Sequence, residues 1–403
     1  MRDDAVKRLM TRWAAALGLL ALSCLPQSPA LAQQQGFQTT APFAILMDSE
    51  TGAVLFERAA DDLMVPASMA KLMTAEVLFD QIAKGKISLD DEFTISEGAW
   101  RRGGAPSRGS SMFAALNSKV KVSDLILGIA VVSGNDSAIA IAEGVAGTEG
   151  AFATRMTARA RELGLKKSVF ANSTGMGDPE QKVTARELAV LANHIVKTYP
   201  ELYKAFGQRD FTWNKIPQKN RNNLLTMDIG ADGLKTGNIA ESGFGVVASA
   251  VQNGQRLIVV VNGMKSSKER DDEARRILAW GFRSFETREL FPAGEVIGEA
   301  KVFGGDPAVV PLVARGAVRA LVPRGSTDRI VARIVYQGPL LPPVAAGQEV
   351  GRLKVQRGDV QALDLPLYAQ TDAGKGPLTR RAFDAATEFV ITTVRSKFTK
   401  SGS

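Results

Sequence analysis

Cysteine and histidine are almost missing from this chain of 403 residues: it has one of each, and Cys24 lies in an apolar run near the N-terminus. Disulfides, thiol nucleophiles and zinc or other transition-metal sites draw on these two residue types, so the fold must be held by packing alone. No metal or cofactor is expected. Any hydrolytic chemistry must rest on a hydroxyl nucleophile with a base other than a thiolate or metal-bound hydroxide. The single histidine, His194, lies within "VTARELAVLANHIVKTY", where Thr184 and Glu187 form a capping-box pattern ahead of Leu188, Leu191 and Ile195. That places it mid-helix at the edge of an amphipathic face, with no catalytic role. A serine nucleophile would then need lysine as its base, which works when burial or a neighbouring cation lowers the amine pKa.

The first residues read as a signal peptide. Lys7, Arg8 and Arg12 precede the apolar run from Trp13 to Leu25, and Ala30-Leu31-Ala32 offers small residues for cleavage. The expected leader is 1–32, and Ala21-Leu22-Ser23 is a poor lead-in for lipidation of Cys24. Its removal takes away four basic and two acidic side chains, so a formal charge of +8 becomes +6. A basic exported protein suits an anionic wall or membrane. Nucleic acid is not expected as a partner, since no zinc-finger spacing or basic-aromatic interleaving is present. Length allows two domains of about 100 to 200 residues each.

Ser68-Met69-Ala70-Lys71 supplies the serine and the lysine. Ser-x-x-Lys alone is weak, because a chain of this length produces about one by chance. A second copy, Ser118-Lys119-Val120-Lys121, lies in a charged alternating stretch read as surface with no helix after it. Ser68 differs: Pro66 and Ala67 lead into it, and "MAKLMTAEVLFDQIAKG" continues as an apolar-rich helix ending near Gly85. Ser68 is expected to cap that helix. Residues i and i+3 share a helix face, so the Lys71 amine should lie over the Ser68 hydroxyl.

Two further clusters follow in order. Ser133-Gly134-Asn135 sits between "VSDLILGIAVV" and the probable helix "DSAIAIAEGVAG", a hydroxyl and an amide on one loop. Lys235-Thr236-Gly237 precedes a strand-like hairpin whose turn is Asn253-Gly254, with Gly237 keeping a strand edge bare. Separately each is ordinary turn or strand chemistry. On helix, loop and strand in this order, they match the active-site set of penicillin-binding proteins and class A β-lactamases.

The chain resembles the low-molecular-mass penicillin-binding proteins that act as D-alanyl-D-alanine carboxypeptidases. The likeness extends through "AILMDSETGAVLFERAADDLMVPASMAKLMTA", "FTWNKIPQKNRNNLL", "ADGLKTGNIAESGFGVVASA" and "ARRILAWGFRSFET". It implies an α+β fold: a β-lactamase-like D,D-peptidase domain over 37–290, with an antiparallel sheet, helices and a helical lobe. A small β-sandwich over 291–374 would follow, carrying "VRALVP", "RIVARIVY" and "VGRLKVQ". Over 377–400, Phe383, Val390, Val394 and Phe398 form one stripe among Arg380, Arg381, Arg395, Lys397 and Lys400, an amphipathic helix suited to the outer face of the cytoplasmic membrane.

The resemblance also implies roles. Ser68 would attack the penultimate D-Ala carbonyl of a peptidoglycan stem peptide, with Lys71 as base and Ser133 passing the proton to the leaving amine. Asn135 would hold a substrate amide. Lys235 would depress the Lys71 pKa and, with Thr236, grip the terminal carboxylate, to which Arg221 would add. The backbone of Asn238 would complete the oxyanion site beside Gly237. β-Lactams are expected to acylate Ser68 as covalent inhibitors. Class A β-lactamases use Glu-x-x-Leu-Asn to activate hydrolytic water, and "NSTGMGDPEQKVTARELAV" has no such run. A β-lactamase, a D,D-endopeptidase or a non-catalytic wall-binding protein of this fold are the alternatives, and nothing in the sequence fixes the oligomeric state.

Overall fold

The computed structural model describes residues 37–358 and 360–387; the expected leader and most of the C-terminal amphipathic stretch lie outside them. A mixed α/β unit comes first. Its sheet contains β1 (Phe43–Asp48), β2 (Val54–Arg58), β3 (Ala231–Ile239), β4 (Gly243–Gln252) and β5 (Gln255–Met264), in the spatial order β2-β1-β5-β4-β3 with every pairing antiparallel. Side chains alternate across a strand, and here the alternation divides two cores. Leu257, Val259 and Val261 of β5 join one core with Ala44, Leu46, Val246 and Ala248, while Ile258 and Val260 join the other with Ile45 and Val247. This explains why "LIVVV" reads as a continuous apolar run: the sheet is covered on both faces.

The longer helices of this unit are α1 (Lys71–Ala83), α2 (Glu97–Gly103), α3 (Val122–Ala130), α4 (Asn135–Ala146), α5 (Glu149–Glu162), α6 (Ala185–Thr198) and α7 (Ser267–Ser284). Helix α7 covers one face of the sheet through Ala274, Ile277, Leu278 and Phe282. The other helices share the second core, in which Leu72, Leu78 and Phe79 of α1 meet Ile139 and Ile141 of α4 and Leu188 and Leu191 of α6. Helix α1 stops where Gly85 takes φ +67°. At the start of α6 the Thr184 hydroxyl accepts from the Glu187 amide, but the Glu187 carboxylate turns instead to the amides of Lys167 and Ser168, so only half of the expected capping box forms. The β4–β5 turn is Asn253-Gly254 with both φ values positive, as a tight hairpin requires.

Lys119–Lys121 forms a two-stranded ribbon with Glu92–Thr94, its lysines exposed and Val120 buried in the core, and α3 starts at the next residue. The reading of the second Ser-x-x-Lys as having no helix after it is therefore corrected. The apolar run that follows is a buried helix, entered without a capping side chain, so the boundary had no local mark.

The second unit is built of strands. β6 (Phe285–Phe291), directly after α7, pairs with β9 (Val318–Pro323). β7 (Gly298–Lys301), β8 (Val309–Val313), β10 (Ile330–Tyr336), β11 (Glu349–Arg357) and β12 (Val360–Ala369) make a five-stranded antiparallel sheet in the order β7-β8-β12-β11-β10. Its core includes Ala300, Val310, Leu312, Leu353, Val355 and Leu367. Residues 378–387 are helical, and the Asp384 carboxylate accepts from the Gly304 amide at 2.7 Å, tying that helix to the sheet unit.

In the helical lobe, a Cβ on Gly144 of α4 would overlap the Phe93 ring. Gly144→Ala should therefore lower unfolding stability by about 1–3 kcal/mol despite its better helix propensity. A denaturant midpoint at unchanged m-value measures this, and a stabilised variant would contradict the packing described.

Candidate active site

Ser68 lies in a 3₁₀ turn, Ala67–Ala70, and α1 begins only at Lys71. The expectation that Ser68 caps the α-helix is corrected: Pro66 precedes the turn, and Ala67 enters it with φ +47°. In a 3₁₀ turn, side chains three apart eclipse one another more closely than in an α-helix. Lys71 Nζ accordingly sits 3.0 Å from Ser68 Oγ.

The Lys71 amine is fully buried and has two more partners, Asn135 Oδ1 at 2.7 Å and the Thr174 carbonyl at 2.6 Å. Both are obligate acceptors. A neutral amine has two N–H bonds and one lone pair, so these oxygens take both donors and leave the lone pair facing the Ser68 hydroxyl. Burial drives the amine pKa down from the ordinary lysine range to about 7, against Asp136 and Glu149, whose charges pull it upward.

Thr174 reaches Lys71 because of its loop. Asn172 Oδ1 accepts from the amides of Thr174 and Gly175 and from the Thr174 hydroxyl, an Asx turn. The Ser173 carbonyl accepts from Thr74 of α1 at 2.7 Å, and Gly175, at φ +82°, lies so close to Ala67 that a Cβ would strike its carbonyl. On the other side, Asn135 opens α4 after Ser133, whose φ of +62° is rare for a non-glycine residue. Asp136 fixes this corner by accepting from Ser111 Oγ at 2.6 Å and from the Met112 and Ala114 amides.

Lys235, Thr236 and Gly237 lie within β3, the edge strand of the sheet, ahead of the β4–β5 hairpin as expected. A Cβ on Gly237 would lie 2.7 Å from the Pro66 carbonyl, so this glycine lets the strand close on the nucleophile turn. Lys235 is buried and donates to the Thr236 carbonyl at 3.0 Å. Its pKa is held well below the lysine range by burial first, then by the charges of Lys71, Arg221 and Arg270. The Lys71 shift comes from burial, and the charge of Lys235 is not among its causes, so the expected depression of Lys71 by Lys235 is not what lowers it.

Ser68, Ser133, Asn135, Thr236, Gly237 and Asn238 line one groove of about 900 Å³. Arg108, Lys219, Arg221 and Arg270 also line it, and no aspartate or glutamate does. Arg221 is exposed there, and its carbonyl accepts from buried Arg270, which pairs with Asp271 at 2.7 Å. Thr174, Arg108 and Arg270 were not foreseen. The Asx cue at Asn172 pointed to the loop, but Arg270 lies in "SSKERDDEARR", which reads as a solvated helix face. His194 in α6 stands 3.3 Å from Glu76 and does not line the groove.

Ser68 thus has an amine, and no imidazole, thiolate or carboxylate, as its base among the described residues, the hallmark of serine–lysine acyl-transfer enzymes. Residues 29–266 match the family described as D-alanyl-D-alanine carboxypeptidase, and residues 285–375 match the penicillin-binding protein 5 C-terminal domain. The chain belongs to this D-alanyl-D-alanine carboxypeptidase family. It is 36% identical to D-alanyl-D-alanine carboxypeptidase DacA of Haemophilus influenzae, covering 90% of this chain and 91% of that protein. It is 37% identical to DacC of Escherichia coli, covering 84% and 86% respectively. Its fold superposes on penicillin binding protein 5 from Haemophilus influenzae with a TM-score of 0.76 at 38% identity, over 84% of this chain and 98% of the other. For penicillin binding protein 6B from Escherichia coli the TM-score is 0.67 at 32% identity, over 85% and 98%.

Gly237→Ala should push β3 off the nucleophile turn. A misplacement near 1 Å costs up to about 10²-fold in rate. Labelling by a fluorescent penicillin should fall by tens of fold while cooperative unfolding persists, and an unchanged rate would show that the close approach is immaterial.

Proposed function

We propose that this protein removes the terminal D-alanine from peptidoglycan stem pentapeptides through an acyl-enzyme on Ser68. The observation that carries the reading is the fully buried Lys71 amine, 3.0 Å from Ser68 Oγ with its pKa lowered to about 7. As Ser68 Oγ bonds to the penultimate D-Ala carbonyl carbon, its proton passes to the Lys71 lone pair. The carbon–nitrogen bond then breaks, and the departing D-alanine amine takes up a proton by way of Ser133. Water hydrolyses the ester and restores the serine. The amides of Ser68 and Asn238 are suited to the oxyanion. Lys235, Thr236 and Arg221 suit the terminal carboxylate, and the excess of cations in the groove supports that orientation.

β-Lactams present the same carbonyl and carboxylate and acylate the same serine. Their release should be slow, because no carboxylate lines the groove to activate water. Glu180 is exposed, and the Glu187 carboxylate is occupied by Lys167 and Ser168. This favours the carboxypeptidase over the β-lactamase reading.

Measuring free D-alanine from a D-Ala-D-Ala pentapeptide tests the reading. Ser68→Ala and Lys71→Ala should each lower the rate by roughly a thousandfold or more; equal release from all three proteins would end the mechanism. The pH dependence follows from the lowered amine pKa. Lys71 is protonated, and useless as a base, below about 7. The acylation rate should fall about tenfold per pH unit on the acid side and level off on the alkaline side. A limb near 10 would mean an ordinary lysine.

For location, we infer an exported protein held on the outer face of the cytoplasmic membrane. Support comes from the leader-like 1–32 and the amphipathic 377–400. In the described part of the latter, Leu378 and Phe383 are 77% and 72% exposed. Among the described residues no helix is long and apolar enough to cross a membrane, so attachment would be interfacial. Truncation after Gly374 should leave D-alanine release intact and reduce sedimentation with anionic vesicles; undiminished sedimentation would remove the anchor.

A further inference from the structure

We propose that Met176 is a site of reversible oxidation whose sulfoxide alters Asn135 and slows acylation of Ser68. Of the methionines among the described residues, Met176 is the one that is exposed, at 46%. Met227 is half-buried, and Met47, Met64, Met69, Met73, Met112, Met156 and Met264 are buried in the core clusters. Oxidation follows exposure, so an oxidant reaches Met176 first.

The sulfur is also placed where its chemistry matters. Met176 lines the groove, and Asn135 Nδ2 donates to Met176 Sδ at 3.1 Å. The same side chain, through Oδ1, accepts from Lys71 Nζ at 2.7 Å. The Met176 backbone is pinned: its carbonyl accepts from Asn172 Nδ2 at 2.9 Å and its amide donates to Thr174 Oγ1 at 3.2 Å. Gly175 is wedged against Ala67, so the segment has little room to withdraw.

A thioether sulfur is a weak acceptor, whereas a sulfoxide oxygen is a strong one projecting beyond the sulfur. With a hydroperoxide, the sulfur lone pair attacks one peroxide oxygen, the O–O bond breaks, and an S–O bond forms. Sulfur gives up two electrons and the peroxide leaves as water or alcohol, taking the proton. The new oxygen captures the Asn135 amide more firmly. Because Nδ2 and Oδ1 share one rigid plane, any rotation of Nδ2 moves the oxygen that holds Lys71. One donor facing the groove is lost and the base is displaced together. A dithiol reductant of the methionine sulfoxide reductase class reverses the change, leaving a disulfide and water.

The proposal rests on Ser68 and Lys71 as nucleophile and base. The full chain is treated briefly with hydrogen peroxide and quenched. Peptide masses locate the added oxygen, and the acylation rate with a fluorescent penicillin is compared with that of untreated protein. The same is done for Met176→Leu and Met227→Leu, each against its own untreated rate. Met176 should gain oxygen first, with the rate falling in proportion by roughly two- to tenfold, the loss of one hydrogen bond from the transition state. Methionine sulfoxide reductase with dithiothreitol should restore it. Met227→Leu should lose rate as the parent does, and Met176→Leu should keep its own. Oxidation at Met176 with no change in rate, or an equal loss in Met176→Leu, would overturn the proposal. Absence of acylation in the untreated parent would instead sink the Ser68 reading on which it stands.

Discussion

The rest of the site depends on the desolvation of one amine. Lys71 lies at the first position of α1 with no access to water, where a charged ammonium is penalised, and the carboxylates of Asp136 and Glu149 offset only part of that penalty. Left bare, a neutral amine would be a costly buried donor. Two carbonyl oxygens remove that cost, and they come from separate places: the Asn135 side chain at the start of α4 and the Thr174 backbone on the Asn172 loop. The start of α4 and the Asn172 loop therefore have to meet at a single nitrogen. The positive φ values at Ala67, Ser133 and Gly175 fall at that meeting point, which is where local strain is expected to be held by the surrounding packing.

A second consequence concerns charge. The groove wall carries four cations and no carboxylate, while the acidic side chains nearby are turned inward on structural work. Asp136 accepts from the Ser111–Ala114 segment, Asp271 from Asn223 and Arg270, and Glu149 from Ser173. Such a groove favours a peptide that ends in a free carboxylate, and it lacks the acidic base that would speed ester hydrolysis. In the proposed function, selectivity for the substrate terminus and slow release of a β-lactam adduct would come from the same arrangement.

How much of this was legible in the sequence depended on where the information sits. Ser68 and Lys71 were legible because three-residue spacing on one turn brings side chains together whether the turn is α or 3₁₀. Lys235, Thr236 and Gly237 were legible as strand chemistry, and the Asn253-Gly254 turn by its residue types. Thr174 was not, because Lys71 contacts its backbone carbonyl, which any residue could supply. Arg270 was hidden in a charged run whose periodicity marks a helix without saying which arginine turns inward to Asp271. The start of α3 was missed because no capping side chain announces it, and Ser68 was read as a cap because its neighbours resemble one. For Thr174 and Arg270 the missing information was tertiary; at α3 the local signal was absent and at Ser68 it misled.

The two buried lysines finally divide the labour of the site by charge. Lys71 and Lys235 lie within each other's field in a desolvated corner, and both amines are pushed below the ordinary lysine range. Two ammonium ions there would repel strongly, with Arg221 and Arg270 adding to the repulsion on Lys235. Lys71 has three oxygens around it, Ser68 Oγ, Asn135 Oδ1 and the Thr174 carbonyl, and once neutral it spends both N–H bonds on the last two and turns its lone pair to Ser68. Among the described residues Lys235 has one hydrogen-bond partner, the Thr236 carbonyl. In the proposed reaction a substrate carboxylate would supply a counter-charge for a proton on Lys235. Burial is what lowers the Lys71 pKa, so in that reaction the base would be ready before the carboxylate arrives, and the two lysines would divide the work without one having to activate the other.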